Sequence, residues 1–214
     1  MAKSVVTAVC LLVLFASYAS AGQTGDYVGA SAGLLLSKHS TVTDRNGDSA
    51  DLSYNMFGAS VSAFIGRQYG MGLRVEEELF YKRAATDKFN HSGTSSKIDS
   101  NMSCLGAMTN LYYDWYHDVK VMEGSSFSPY VGVGVGFVDV NMSDGTVNGL
   151  KLWNGGSDAV LAYQIAIGSG IPINKDIVLD ISYRYFSTQD SKIDQIKTNF
   201  SNHNILLGAR YFFR

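Results

Sequence analysis

Beyond its first 21 residues this 214-residue chain has no apolar run as long as the roughly 20 residues a membrane-spanning helix needs. Proline is scarce, with two residues in all. Cysteine is scarcer than its count of two suggests, because Cys10 lies inside the N-terminal apolar run. With that run removed only Cys104 remains, so no intramolecular disulfide can form, and Cys104 reads as a small packed side chain. Basic charge is not in excess: 17 Lys and Arg face 19 Asp and Glu. That balance excludes the positive field of a nucleic-acid binder. No cluster of His, Cys, Asp or Glu has metal-ligand spacing, so no metal or cofactor is expected. The alternating Gly132, Gly134 and Gly136 belong to a strand and not to a phosphate-binding turn before a helix.

At the N-terminus, Lys3 is followed by an apolar run over 5–15 and by Ala19-Ser20-Ala21. This is the pattern of a secretory signal peptide cut after Ala21, which divides the chain into a signal at 1–21 and one domain at 22–214. The 17 basic residues less Lys3 leave 16 against 19 acidic ones in the exported part. Thirteen tyrosines and abundant glycine among β-branched residues favour strands.

The most informative stretch is 72–82, Gly-Leu-Arg-Val-Glu-Glu-Glu-Leu-Phe-Tyr-Lys. Side chains alternate across a strand, so Leu73, Val75, Leu79 and Tyr81 share one face, and Arg74, Glu76, Glu78, Phe80 and Lys82 the other. Read as a helix, the same charges scatter around the axis. Seven further segments alternate in the same way. They lie near 27–36, 54–67, 105–115, 129–137, 159–171, 177–185 and 204–213. Their apolar faces carry, for example, Val28 and Leu34, Phe57 and Val61, Leu105 and Leu111, Val131 and Val135. The opposite faces carry glycine, serine and charge, including Ser60, Ser62, Gly132, Gly134, Asp180 and Arg184. Such faces are not expected to form an oily core, so the amphipathicity reads inside out: aliphatics toward lipid, polar groups inward.

Connections alternate between long polar segments, such as 37–51, 85–97, 142–157 and 188–198, and shorter ones, such as the turns at 68–70 and 172–176. Long surface loops and short periplasmic turns give that rhythm. With a periplasmic N-terminus, Tyr113, Trp115, Tyr211 and Phe213 gather at the inner rim, and Tyr81, Phe137 and Tyr185 near the outer one. These are the two aromatic girdles of a membrane-spanning sheet.

The segments Gly72 to Tyr81, Asn110-Leu-Tyr-Tyr-Asp114, Pro129 to Gly136, Tyr163-Gln164, Asp180-Ile-Ser-Tyr-Arg184 and His203 to Tyr211 resemble the small eight-stranded bacterial outer-membrane barrels of the OmpA-like and opacity-protein type. The resemblance implies an all-β, eight-stranded, antiparallel, up-and-down transmembrane barrel in the cell outer membrane, of the class labelled porin-family or surface antigen. It also implies outer-membrane lipid and lipopolysaccharide as surroundings, and the barrel-assembly machinery as a partner. Two features depart from the pattern. Arg214 follows the terminal aromatic Phe213, and Glu77 falls on the lipid face, where protonation, a neighbouring protomer or a local bulge would accommodate it.

Face assignment sends Arg74, Glu76, Glu78, Asp114, Asp180, Arg184 and Arg210 into the lumen. Eight strands leave room only for side chains, so these residues are expected to form an ion-pair plug, with Arg184 reaching Glu76 or Glu78. A narrow charge-lined conduit is the alternative. Leu150, Leu152 and Trp153 form an apolar knot in the third long loop, placed either to tuck against the rim or to contact a host or partner surface. Catalysis would need a base, a nucleophile and an orienting acid together. Of His39, His91, His117 and His203, only His203 lies near the outer rim with a serine, Ser201, on its own face, and no acid stands beside it. The expected role is therefore non-enzymatic: envelope structure and loop-mediated interaction or adhesion, with a small diffusion pore or a lipid A-modifying enzyme as alternatives.

Overall fold

The computed structural model describes residues 25–37, 40–43, 49–54, 58–91, 94–115, 119–122, 125–147, 150–153, 155–193 and 196–213. Residues 1–21, Phe57, His39, His117 and Arg214 lie outside them.

The barrel strands are β1 (Gly25–Ser37), β2 (Gly58–Gln68), β3 (Leu73–His91), β4 (Thr94–Asp114), β5 (Ser125–Met142), β6 (Gly156–Pro172), β7 (Ile177–Thr188) and β8 (Ser201–Phe213). Each pairs antiparallel with its neighbour in chain order. The ring closes where β8 returns to β1, from Asp26↔Phe213 to Ser37↔Asn202. Closure gives every barrel strand a partner on both sides, the condition for a sheet to cross a hydrocarbon layer.

Alternation decides which face is which. Val135 and Leu207 on the outer surface are each 64% exposed, whereas Glu76 on the inner one is 1% exposed. Outward aromatics sit at both ends: Tyr113 against Trp115 and Tyr211 against Phe213, both with ring centroids 5.5 Å apart, at the periplasmic rim, and Tyr81 and Phe137 toward the other.

Three details depart from expectation. The polar segment 85–97 is not a loop: β3 and β4 continue as a two-stranded ribbon to His91↔Thr94, with one register shift between Thr86 and Lys88. Ser40–Thr43 and Ser49–Tyr54 extend this outer sheet, the latter pairing with β3, and Lys197 joins Thr43 across to the Ile196–Thr198 strand. The β2–β3 turn expected at 68–70 also runs on to residue 72. The left-handed backbone falls on Met71 (φ 63) and Gly72 (φ 85). A Cβ on Gly72 would lie 2.2 Å from the Asp114 carbonyl oxygen, so only glycine fits there. Finally, the inner face does form an oily layer in its outer half. Leu35, Phe80, Met102, Val138, Val140, Phe186 and Phe200 are buried together there. The apolar side chains of the lumen gather in its outer half, with Lys82, Ser187, Asn202 and Asn204 buried among or beside them, and the ion pairs lie nearer the periplasm.

Candidate functional site

The lumen is the densest chemistry in the molecule, and its inner tier is built by period-2 alternation. On β3, every second residue from Arg74 to Lys82 points inward and is buried. Asp114 comes from the end of β4, Asp180 and Arg184 from β7, and Arg210 from β8.

These residues form three groups. Near the periplasmic end, Arg74 Nε donates to Asp114 Oδ2 at 2.9 Å, and its Nη1 pairs with Glu76. The Tyr27 hydroxyl donates to the same Glu76 carboxylate at 2.7 Å. The Arg74 guanidinium also lies 4.2 and 4.8 Å from the ring centroids of Tyr112 and Tyr130, two rings that meet edge to face. A planar, weakly hydrated cation gains from such faces once water is excluded. Beside it, Arg210 makes a two-pronged contact with Asp180, 2.7 and 2.9 Å long. At mid-barrel, Arg184 Nη1 reaches both Glu78 oxygens at 2.7 and 2.9 Å. Asn110 and Gln164 donate to Glu78 Oε2 at 2.9 and 3.0 Å, and Gln164 also donates to Asn110 Oδ1 at 2.7 Å. Arg184 therefore meets Glu78, not Glu76.

Above this tier lies Lys82, 3% exposed, with its ammonium 4.0 Å from the Phe186 ring centroid and 5.2 Å from that of Phe80. Counting it, four lumen cations (Arg74, Lys82, Arg184 and Arg210) stand against four carboxylates, those of Glu76, Glu78, Asp114 and Asp180. Among the described residues these formal charges balance. Tyr27, Asn110 and Gln164 are partners that the list of charged residues misses. Their inward parity and polar tips were the available signal.

Space for these side chains comes from glycine. Gly132 is paired across the sheet with Tyr112, Gly134 with Asn110, Gly66 with Tyr27 and Gly168 with Tyr130. A Cβ at Gly132 would stand 2.2 Å from the Tyr112 ring, and one at Gly134 would stand 2.0 Å from Asn110 Oδ1. Each of these four inward side chains therefore lies over the bare backbone of a neighbouring strand.

On the outer surface, Glu77 faces away from the lumen with the ladder unbroken on both sides, Ile65↔Glu77 and Glu77↔Thr109, so no bulge turns it inward. Thr109 Oγ1 lies 3.0 Å from each of its carboxylate oxygens. His203 Nδ1 contacts the Tyr183 hydroxyl at 2.6 Å, while Ser201 Oγ meets Ser187 Oγ at 2.7 Å. The candidate base and the candidate hydroxyl thus each engage another group. Cys104 is buried in the apolar tier. The backbone of Leu150–Trp153 forms a short strand paired with Gly145–Val147, and the side chains of Leu150, Leu152 and Trp153 lie outside the described residues.

The chain is 27% identical over 189 residues to an outer membrane protein of Gluconacetobacter diazotrophicus, an alignment covering 76% of this chain and 47% of that protein. It spans about half the length of the curated relatives it matches. Among solved structures, the Pseudomonas aeruginosa outer membrane protein OprG superposes with a TM-score of 0.58 at 13% identity, covering 90% of this chain and 98% of that one. Neisserial surface protein A gives 0.50 at 21% identity, covering 88% and 97%. These structural likenesses concern the fold alone. With the family model of the outer membrane protein beta-barrel domain matching residues 7–213, the chain belongs to that family and resides in the outer membrane.

Proposed function

We propose that this barrel is a non-enzymatic surface protein whose lumen is sealed by its own side chains and whose outer ribbons carry envelope-structural and adhesive contacts. The observation that carries the reading is the two-tier filling. Paired ions occupy the inner half and a layer including Phe80, Phe186 and Phe200 the outer half. A conduit for polar solutes needs a continuous wet path, and apolar rings packed over buried ion pairs oppose one. Interaction is then left to the outside, where backbone pairing stiffens the ribbons above the membrane.

In this reading the chain is exported by its signal peptide, inserted by the barrel-assembly machinery and surrounded by lipopolysaccharide at its outer rim. Leu150, Leu152 and Trp153 are candidates for contact with a host or other surface ligand. The test has two arms on the refolded barrel. In planar bilayers it should give no stable conductance steps, and steady channel openings would overturn the sealed lumen. A variant in which 88–97 is replaced by a two-residue turn, still folded by its gel shift, should lose binding to host-cell surfaces. Unchanged binding would overturn the assignment of contact to this ribbon.

A further inference from the structure

Glu77 is an ionisable side chain in the middle of the lipid-facing wall. Along β3 it stands four residues from Leu73, at the periplasmic end, and four from Tyr81, in the outer girdle. At a rise of about 3.4 Å per residue on tilted strands, either headgroup region is on the order of 10 Å away. Its ladder partner Thr109 is equally central, midway between outward-facing Leu105 and Tyr113 on β4. An ionisable group at this depth marks a functional site by default.

The hydrogen bonding of the carboxylate is incomplete. Thr109 lies 3.0 Å from both oxygens, but its single O–H proton serves one at a time, whereas a carboxylate offers about four acceptor positions. Among the described residues, the outward cation on the neighbouring strand, Arg67, sits opposite Val75 and is taken by Asp26 through contacts of 2.5 and 2.8 Å. Hydrocarbon supplies no water to complete the shell. Ile65 on β2 stands directly across from Glu77, and toward the outer rim Ala63, Ala107 and Gly29 line a hollow of about 350 Å³ bordered by Val28, Ile65, Leu79 and Glu77. A second hollow of about 310 Å³ opens on its periplasmic side.

The geometry points to a second copy of this chain as the occupant, docked face to face about a two-fold axis through the β2–β3–β4 wall. Three features select it. An acyl chain fits the hollows but brings no donor, and a headgroup cannot reach the depth. A second copy sits at the same depth with the same notch, so a two-fold axis brings carboxyl opposite carboxyl. Two carboxyl groups sharing one proton are self-complementary: the acid O–H of one donates to the carboxylate of the other, and each Thr109 hydroxyl still donates to its own partner. Ala63 and Ala107, which flank Leu79 two residues beyond Glu77 on the same face, leave a hollow next to the carboxylate into which the second wall can approach.

The test uses the full mature barrel, labelled at its N-terminal amine and reconstituted into phosphatidylcholine vesicles over a range of protein-to-lipid ratios. Single-molecule photobleaching counts the copies per spot. Wild type should move from one copy to two as the ratio rises. Glu77→Val should need a ratio about tenfold higher for the same dimer fraction, whereas Glu77→Gln, whose amide pairs with itself, should stay near wild type. Glu77→Cys should give a dimer with a short bis-maleimide, and Ile165→Cys on the opposite wall should not. The proposal fails if wild type stays monomeric throughout, or if Glu77→Val dimerises as readily as wild type. It also fails if native mass spectrometry finds a bound lipid on a monomer that Glu77→Val releases, which would make the notch a lipid site.

Discussion

Glu78 accepts hydrogen bonds from Arg184, Asn110 and Gln164 in the middle of the barrel, where water cannot replace any of them. Removing one member of such a cluster leaves the others buried without a counterpart, and the stranded charge costs more than the pair contributes. Glu78→Leu should therefore lower the unfolding free energy of the lipid-inserted barrel by roughly 3–5 kcal/mol. Glu78→Leu combined with Arg184→Leu should recover most of the loss, because no charge is then left alone. Urea unfolding from vesicles measures both. The inward direction of each charged residue is legible in the sequence, because alternation fixes the face once the strand is recognised. Which arginine meets which carboxylate is less legible: whether Arg184 reaches Glu76 or Glu78 depends on the stagger of β3 against β7, which no local pattern encodes.

At the scale of the strand, the glycines of β5 act through their neighbours. Gly132 exists so that Tyr112 can lie across it and face the Arg74 guanidinium. Gly132→Val keeps strand propensity high yet drives a branched side chain into that ring, so stability should fall by about 1–3 kcal/mol. Val133→Ala, one residue on and facing lipid, should cost less. Comparing the two urea midpoints checks the point, and an equal effect would mean that the glycine is filler. The glycine-and-valine alternation of this strand is plain in the sequence, but the partner of each glycine is not, because register is a property of two strands. The outer ribbons were hidden for a related reason. Residues 85–97 are polar on both faces, so no amphipathic alternation marks them as strand, and the pairing rests on backbone hydrogen bonds continued upward from the barrel.

At the scale of the whole molecule, the barrel interior is filled in two layers, and the sequence displays one more readily than the other. The ionic layer stands out because charges on a strand are conspicuous. The apolar layer is spread over strand ends that polarity makes look like loops, from Leu35 on β1 to Val140 and Met142 on β5 and Phe200 just before β8. A sheet closed on itself with both layers packed should resist detergent until heated. The protein recovered from outer membranes should therefore run at a different gel position before and after boiling, with an intact mass that begins at Gly22. An unshifted band would contradict the closed barrel, and a retained N-terminus would contradict cleavage after Ala21.

The bridge between Thr43 and Lys197 carries a consequence for whatever meets the cell surface. Segments separated by most of the chain lie side by side at the crown, one hydrogen-bonded to the other. An antibody or receptor gripping that seam reads the two ends of the polypeptide at once. Linear peptides copied from either segment alone should fail to compete for it.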